Sequence, residues 1–261
     1  MIAMTTLGQL IDFYVADPNS GLSNLSYRAR ENSRRYLRRI KAEKGACPVE
    51  AINSSMLVYW NQMWGRDGKN ATARALKWQL TSLFAYGAIS KQDTKCMELL
   101  EAIKGIHNGT VARPTAKLSI EQAKAIIAKA HEWGAHSIAF VQALQFETPL
   151  TQRDCLGEYV PLEYPGYTNV IWRGMKWLHG LRWSEVSDDL VLRRRNLELD
   201  LKNAPLVLAE LDYWRDFRRG DSPVIISEAT ALPWIASEFR RKWRRIADAA
   251  RVPASLRNMD S

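Results

Sequence analysis

Apolar residues recur at three- and four-residue spacing through most of the first hundred positions, the repeat of a helix with one buried face. Leu7, Leu10, Ile11 and Tyr14 predict a first helix, with Thr5 or Thr6 able to cap it and Asp17-Pro18-Asn19 to end it. Tyr27, Leu37 and Ile40 mark the apolar side of a second helix from about Ser26 to Lys44. A third covers roughly Ser54 to Trp64. A fourth, Ala71 to Tyr86, lines up Leu76, Leu80, Leu83 and Phe84, and a fifth runs from about Lys91 to Ile103. The pattern then lapses. The stretch 108–117, NGTVARPTAK, has no periodicity and contains Gly109 and Pro114, so it reads as a linker. The chain is therefore expected to divide into a helical domain over 1–110, a linker over 111–117 and a second domain over 118–261.

The second domain opens at a capping box, Ser119 to Gln122, ahead of a helix carrying Ile120, Ala123, Ile126, Ile127 and Ala130 and ending near Gly134. Ile138, Val141, Leu144 and Gln145 then continue at helical spacing, with Ala139, Phe140 and Ala143 filling the sides. Pro149 ends that helix, because proline lacks an N–H to donate and forces the preceding residue out of the α region. Residues 159–180, rich in glycine and aromatics, read as an irregular loop or hairpin. Residues 181–195 read as strand and turn, 197–201 as a strand, Ala204 to Phe217 as a helix, and Pro223 to Ser227 as a short strand. Ser237 is placed to cap a last helix, with Phe239, Trp243, Ile246 and Ala250 on its apolar side and Pro253 closing it. The whole is a mainly α (α+β) chain: helical first, then mixed with a small sheet.

Charge sharpens this picture. The chain of 261 residues carries a net +9, which favours a polyanion as partner, nucleic acid before an anionic membrane surface. Residues 1–110 hold 15 Lys/Arg against 9 Asp/Glu. In the second helix Arg28, Arg30, Arg34, Arg35, Arg38, Arg39, Lys41 and Lys44 are offset only by Glu31 and Glu43. Like charges three and four apart weaken a helix, so this face is either simply solvated or waiting for an outside anion. Arg74 and Lys77 stand on the fourth helix, Arg113 and Lys117 in the linker, and Arg240, Arg241 and Arg244 on the last helix, all suited to a phosphate backbone. The three cysteines, Cys47, Cys96 and Cys155, are widely spaced and odd in number, and the four histidines show no ligand spacing, so neither a disulfide framework nor a metal site is indicated. No apolar run approaches the roughly 18 residues that cross a bilayer, and the first residues do not form a signal peptide. A cytoplasmic protein without a membrane partner is expected.

The text that ends the apolar helix, T148-P-L-T-Q-R-D154, resembles the first arginine box of the tyrosine recombinases, the phage integrase family. There a core helix ends at T-G-L-R-x-x-E. The helix and the acid, Asp154, match; the arginine position reads Thr151, with Arg153 two residues on. LRWSEVSDDLVL, from Leu181, is similar to the strand that follows the box. Gly180-Leu181-Arg182-Trp183-Ser184-Glu185 also fits G-L-R-x-x-E, which makes Arg182 the second candidate, although no apolar helix precedes it. The final Asn258-Met259-Asp260-Ser261 resembles the start of a family text N-M-D-S-R-A-G.

The resemblance covers nearly the whole chain. It implies a helical, SAM-like core-binding domain, then a recombinase catalytic-type domain with a small antiparallel sheet, clamped around duplex DNA, with assembly of copies on DNA. The chemistry it implies is phosphoryl transfer without metal or cofactor: a tyrosine attacks, two arginines neutralise the non-bridging oxygens, and a hairpin lysine acts as general acid. In place of the lysine hairpin stands Arg193-Arg194-Arg195-Asn196; arginine holds phosphate but is a poor proton donor. The second arginine and the nucleophile would lie past residue 261. A DNA-binding protein of integration and recombination that is catalytically incomplete is therefore expected, with Arg153 as phosphate ligand. A non-catalytic repressor or competitor at recombination sites is the alternative, and a helical regulator with a chance likeness is the third reading.

Overall fold

The computed structural model describes residues 6–107, 117–214 and 220–256. Its contacts divide the chain into two compact units, 1–113 and 114–261.

The first unit is built of helices α1 (Leu7–Ala16), α2 (Tyr27–Lys44), α3 (Ser54–Gly65), α4 (Asn70–Ser90) and α5 (Thr94–Lys104). Local chemistry sets each start. Thr6 closes a capping box with Gln9, and the side chains of Ser26, Asn53 and Asp93 accept from Ala29 N, Met56 N and Cys96 N. Each such cap satisfies an amide that the first helical turn leaves without a partner. α5 begins at Thr94 rather than near Lys91, because Gln92 takes a left-handed φ of 52° and breaks the chain before the Asp93 cap. α4 packs against α1, α2, α3 and α5 through the fully buried Leu76, Leu80, Leu83 and Phe84. A buried side chain of that size contributes about 1.5–3 kcal/mol, so this stripe makes α4 the hub of the unit.

The second unit contains α6 (Ile120–Glu132), α7 (His136–Glu147), the short α8 (Gln152–Leu156), strands β1 (Glu158–Pro161), β2 (Ile171–Trp172), β3 (Met175–Leu178), β4 (Val191–Arg194) and β5 (Leu197–Asp200), and helices α9 (Pro205–Trp214) and α10 (Ala236–Ala249). Every residue of α7 from Ser137 to Gln145 is buried. A helix apolar all round belongs at the centre of a core, and α6, α8 and α9 pack against it. Its polar side chains receive indole donors: Trp234 Nε1 to Ser137 Oγ at 2.9 Å and Trp243 Nε1 to Gln142 Oε1 at 2.8 Å. α7 stops at Thr148, whose hydroxyl donates back to Leu144 O at 2.6 Å.

The chain is mainly α with small antiparallel sheets, as expected, but several local readings change. The stretch 159–180, expected as an irregular loop or hairpin, does contain a hairpin, β2–β3, which β1 extends into a three-stranded antiparallel sheet, β1-β3-β2, with Glu158 opposite Leu178 and Ile171 opposite Lys176. Arg173 and Gly174, both at positive φ, make the two-residue turn between β2 and β3. Residues 183–185 form a 3-10 turn, so strand structure in 181–195 is confined to β4, which pairs with β5. No strand forms over 223–227 among the described residues; single bridges join Arg182 to Pro223 and Ile226 to Pro233. Ser237 does not cap α10. That helix starts at Ala236 with no side-chain cap, and Trp234 packs edge-on against Phe239 at 6.0 Å. This apolar staple fixes the entry of the chain instead.

Candidate nucleic-acid interface

In the first unit, folding sorts the cations of α2 into two groups. Arg30 points back to the carbonyls of Leu22, Ser23 and Leu25 and holds the preceding turn. Arg34 pairs with Glu31 at 2.9 Å, Arg39 with Glu43 at 2.7 Å and Lys41 with Asp12 at 2.6 Å. Arg28, Arg35 and Arg38 are exposed and form no ion pair among the described residues. They recur along one helix at spacings of seven and three residues. On α4, Arg74 is exposed, whereas Lys77 is half-buried and donates to Ile106 O, so its charge holds the chain beyond α5. Arg113 lies outside the described residues; Lys117 is exposed.

In the second unit, α8, the start of β1, the turn at 183–185 and the β4–β5 hairpin bring six charged residues together, Arg153, Asp154, Glu158, Glu185, Arg194 and Arg195, with His179 beside them. Thr151 is the N-cap of α8: its hydroxyl accepts from Asp154 N, and the Asp154 carboxylate accepts from both the Thr151 amide and hydroxyl. Burial pushes the Asp154 carboxyl up, but those bonds and the charges of Arg194 and Arg195 together hold it below the usual range. Thr151, where the resemblance expects an arginine, thus does a helix cap's work, and Asp154 with it. Arg153 forms an ion pair with Glu158, the first residue of β1, whose side chain is 8% exposed. His179 Nε2 lies 3.9 Å from the same carboxylate oxygen. Burial, followed by the neighbouring Arg153, pushes the His179 pKa down, so the ring stays neutral at pH 7.

The three arginines of the hairpin separate sharply. Arg193 points outward to Glu198 at 3.2 Å. Arg195, at the turn with φ 52°, is exposed and lies near both Asp154 and His179. Arg194 is buried: it grips Glu185 at 2.6 Å, lies 3.6 Å from Asp154 and donates to the carbonyls of His179 and Gly180. It is a structural tie rather than a surface cation. Arg182 is likewise engaged inside the fold, against Asp221 at 2.8 Å, Thr168 at 3.0 Å and the Trp177 ring at 4.9 Å. The G-L-R-x-x-E text is therefore a 3-10 turn closed on itself, with Glu185 accepting from the Arg182 amide. On α10, Arg240 and Arg241 are exposed, whereas Arg244 donates to Val252 O and Leu256 O and pairs with Asp248. Residues 258–261 lie outside the described residues.

Glu158, Glu185 and His179 were not singled out by the sequence as members of this cluster. Glu158 and His179 are distant in sequence and meet only because the register places Glu158 opposite Leu178. Gly157 makes that meeting possible. Its φ of 70° and ψ of −162° suit glycine, and a Cβ there would stand 2.5 Å from Trp177 Nε1 and 2.6 Å from Leu178 O. Among the described residues no group of three or more His, Cys, Asp or Glu could hold a metal ion, and no helix is long and apolar enough to cross a membrane.

No protein-family model and no curated protein matches the chain. Solved structures do match. One is a lambda integrase fragment dimer bound to a COC′ core site, with TM-score 0.67 and 14% identity, over 98% of this chain and 88% of that one. A second is the lambda integrase tetramer bound to a Holliday junction, with TM-score 0.67 and 14% identity over 95% of this chain and 65% of that one. A third, a lambda integrase fragment bound to DNA, has TM-score 0.67 and 14% identity, over 95% and 79%. The class defined here is one of architecture: this chain has the fold of lambda integrase, a tyrosine recombinase.

Proposed function

We propose that the protein binds duplex DNA as a member of the tyrosine recombinase, or phage integrase, class, and that the 261 residues hold DNA without cutting it. One observation carries the reading: nearly the whole chain superposes on an integrase whose structures are of DNA complexes, while Arg28, Arg35 and Arg38 stand in a row without acidic partners among the described residues. Arg240 and Arg241 on α10 and Lys117 add further positions for phosphate. Half or more of the hydrogen bonds in protein–DNA complexes go to phosphate and sugar, so exposed arginines at these places fit backbone contacts. The protein acts in the cytoplasm, with copies assembling on the DNA, as the dimer and tetramer forms of lambda integrase do.

The cluster supports the non-catalytic reading. Thr151 caps α8, Arg153 is held by Glu158, and the hairpin offers arginines in place of the general-acid lysine. This favours a protein that occupies recombination sites, a repressor or competitor, over one that processes them. The test has two arms. The full chain should retard short duplexes in a gel at low salt, and a suicide substrate carrying the attachment site of its host element should yield no covalent adduct on a denaturing gel. Failure to retard any duplex refutes DNA binding. An adduct abolished by replacing one of the tyrosines in 1–261 refutes the non-catalytic reading.

A further inference from the structure

Arg153 and His179, with Arg195 near His179, flank a place where an oxyanion would sit, yet a carboxylate of the chain itself is already there. The Glu158 side chain is sealed from water, ion-paired to Arg153 and 3.9 Å from His179 Nε2. Arg153 remains 39% exposed, so the guanidinium reaches the surface while one edge is taken from within. Around it the charges cancel: Arg153, Arg194 and Arg195 face Asp154, Glu158 and Glu185, and His179 is neutral. A cluster with no net charge is a poor trap for a phosphate group, however many arginines it contains. Of the three carboxylates, Asp154 is bound by the helix cap and Glu185 by Arg194. Glu158 alone is held by a side chain that is itself partly exposed.

We infer that Glu158 is an internal anion that occupies an oxyanion site formed by Arg153 and His179, and that it keeps phosphate out of this site unless it is displaced. The contact is an autoinhibitory one, and the ligand class it excludes is a phosphate mono- or diester. A buried carboxylate so close to Arg153 competes at very high effective concentration, since it is tethered to β1 and loses no translational freedom on pairing. A DNA phosphate reaching Arg153 has to displace it and leave it buried without its partner, which is costly. What the contact would regulate rests on the proposed DNA binding; the measurement that follows does not.

Inorganic phosphate is titrated into the full chain and followed by calorimetry and by the indole N–H resonance of Trp177, whose ring packs beside Gly157 and Arg182. Glu158→Gln keeps the shape of the side chain and removes its charge. It should bind phosphate about tenfold or more tighter than the unaltered chain, the order expected when a charge touching the site is removed. The gain should vanish in Glu158→Gln/Arg153→Gln. Should Glu158→Gln unfold, Glu158→Asp, which withdraws the carboxylate by one methylene, should show a smaller gain in the same direction. Equal phosphate affinity in the folded variants and the unaltered chain overturns the inference, as does a gain that persists without Arg153. A chain that binds no DNA but shows the Arg153-dependent phosphate gain refutes the proposed function and leaves the internal anion standing.

Discussion

Arg193, Arg194 and Arg195 are three like residues in a row, of which Arg194 is the one tied into the fold. Arg194→Met removes a guanidinium whose side chain is 7% exposed and which contacts both carboxylate oxygens of Glu185, at 2.7 and 2.6 Å. It leaves Glu185 without its cation, deprives Asp154 of a charge 3.6 Å away and strips donors from the carbonyls of His179 and Gly180. Breaking a buried ion pair from one side costs about 3–5 kcal/mol. At about 2–4 °C per kcal/mol for a domain of this size, the second unit should melt about 6–20 °C lower. Arg193→Met breaks only an exposed pair with Glu198, 60% and 66% exposed, and should cost less than about 1 kcal/mol. Arg195→Met should behave like Arg193→Met in stability. Urea unfolding followed at the Trp177 indole N–H reports on the second unit alone. If Arg194→Met loses no more stability than Arg193→Met, the ion-pair reasoning is wrong.

Three further outcomes are expected. Gly157→Ala forces a Cβ into Trp177 Nε1, Leu178 O and Gly180 N at 2.5–2.7 Å and strains a glycine conformation, so it should cost about 2–5 kcal/mol in urea unfolding; a loss under 1 kcal/mol contradicts it. His179 has its pKa lowered, by burial first, so on acidification the unfolded chain takes up its proton before the folded one does. Its contribution is complete above the ordinary histidine value of about 6.5 and is lost as pH falls below it. His179→Asn, which tolerates the φ of 67°, should flatten the fall in the urea midpoint between about pH 7.5 and pH 5.5; an unchanged slope refutes the assignment. Arg244→Met should release the segment it ties at Val252 and Leu256, seen as faster amide exchange there, with little effect if the two carbonyl contacts are absent in solution.

Much of the fold could be read from periodicity and caps because both are local. The caps at Thr6 and Ser119 announce themselves within four residues, and the apolar run 138–145 can only be a central helix. The sheet over 158–178 escaped because its strands are only two to four residues long and its partners are set by register, which no local pattern encodes. Ser237 misled for the opposite reason: a good capping residue stood at the second position of a helix whose start is fixed by packing of Trp234 on Phe239. The basic faces were legible, but not which cations would be consumed inside. Arg194, Arg182, Lys77 and Arg244 look like surface charges in the text and become ties to backbone carbonyls only through contacts distant in sequence. Alternation hinted at one of them. In β4 every second residue faces inward, which points Arg194 to the core with Leu192 and leaves Arg193 outside.

The central claim is that exposed arginines hold a DNA backbone, and the salt dependence of duplex binding tests it most directly. Fluorescence anisotropy of a labelled duplex across a range of salt should give a log–log slope of several units, about −0.9 for each phosphate contact. Replacing Arg28, Arg35 and Arg38 together by glutamine should flatten that slope by about 2–3 units without lowering thermal stability, because these residues form no ion pair among the described residues. A slope near zero, or a slope that the triple variant leaves unchanged, contradicts the account.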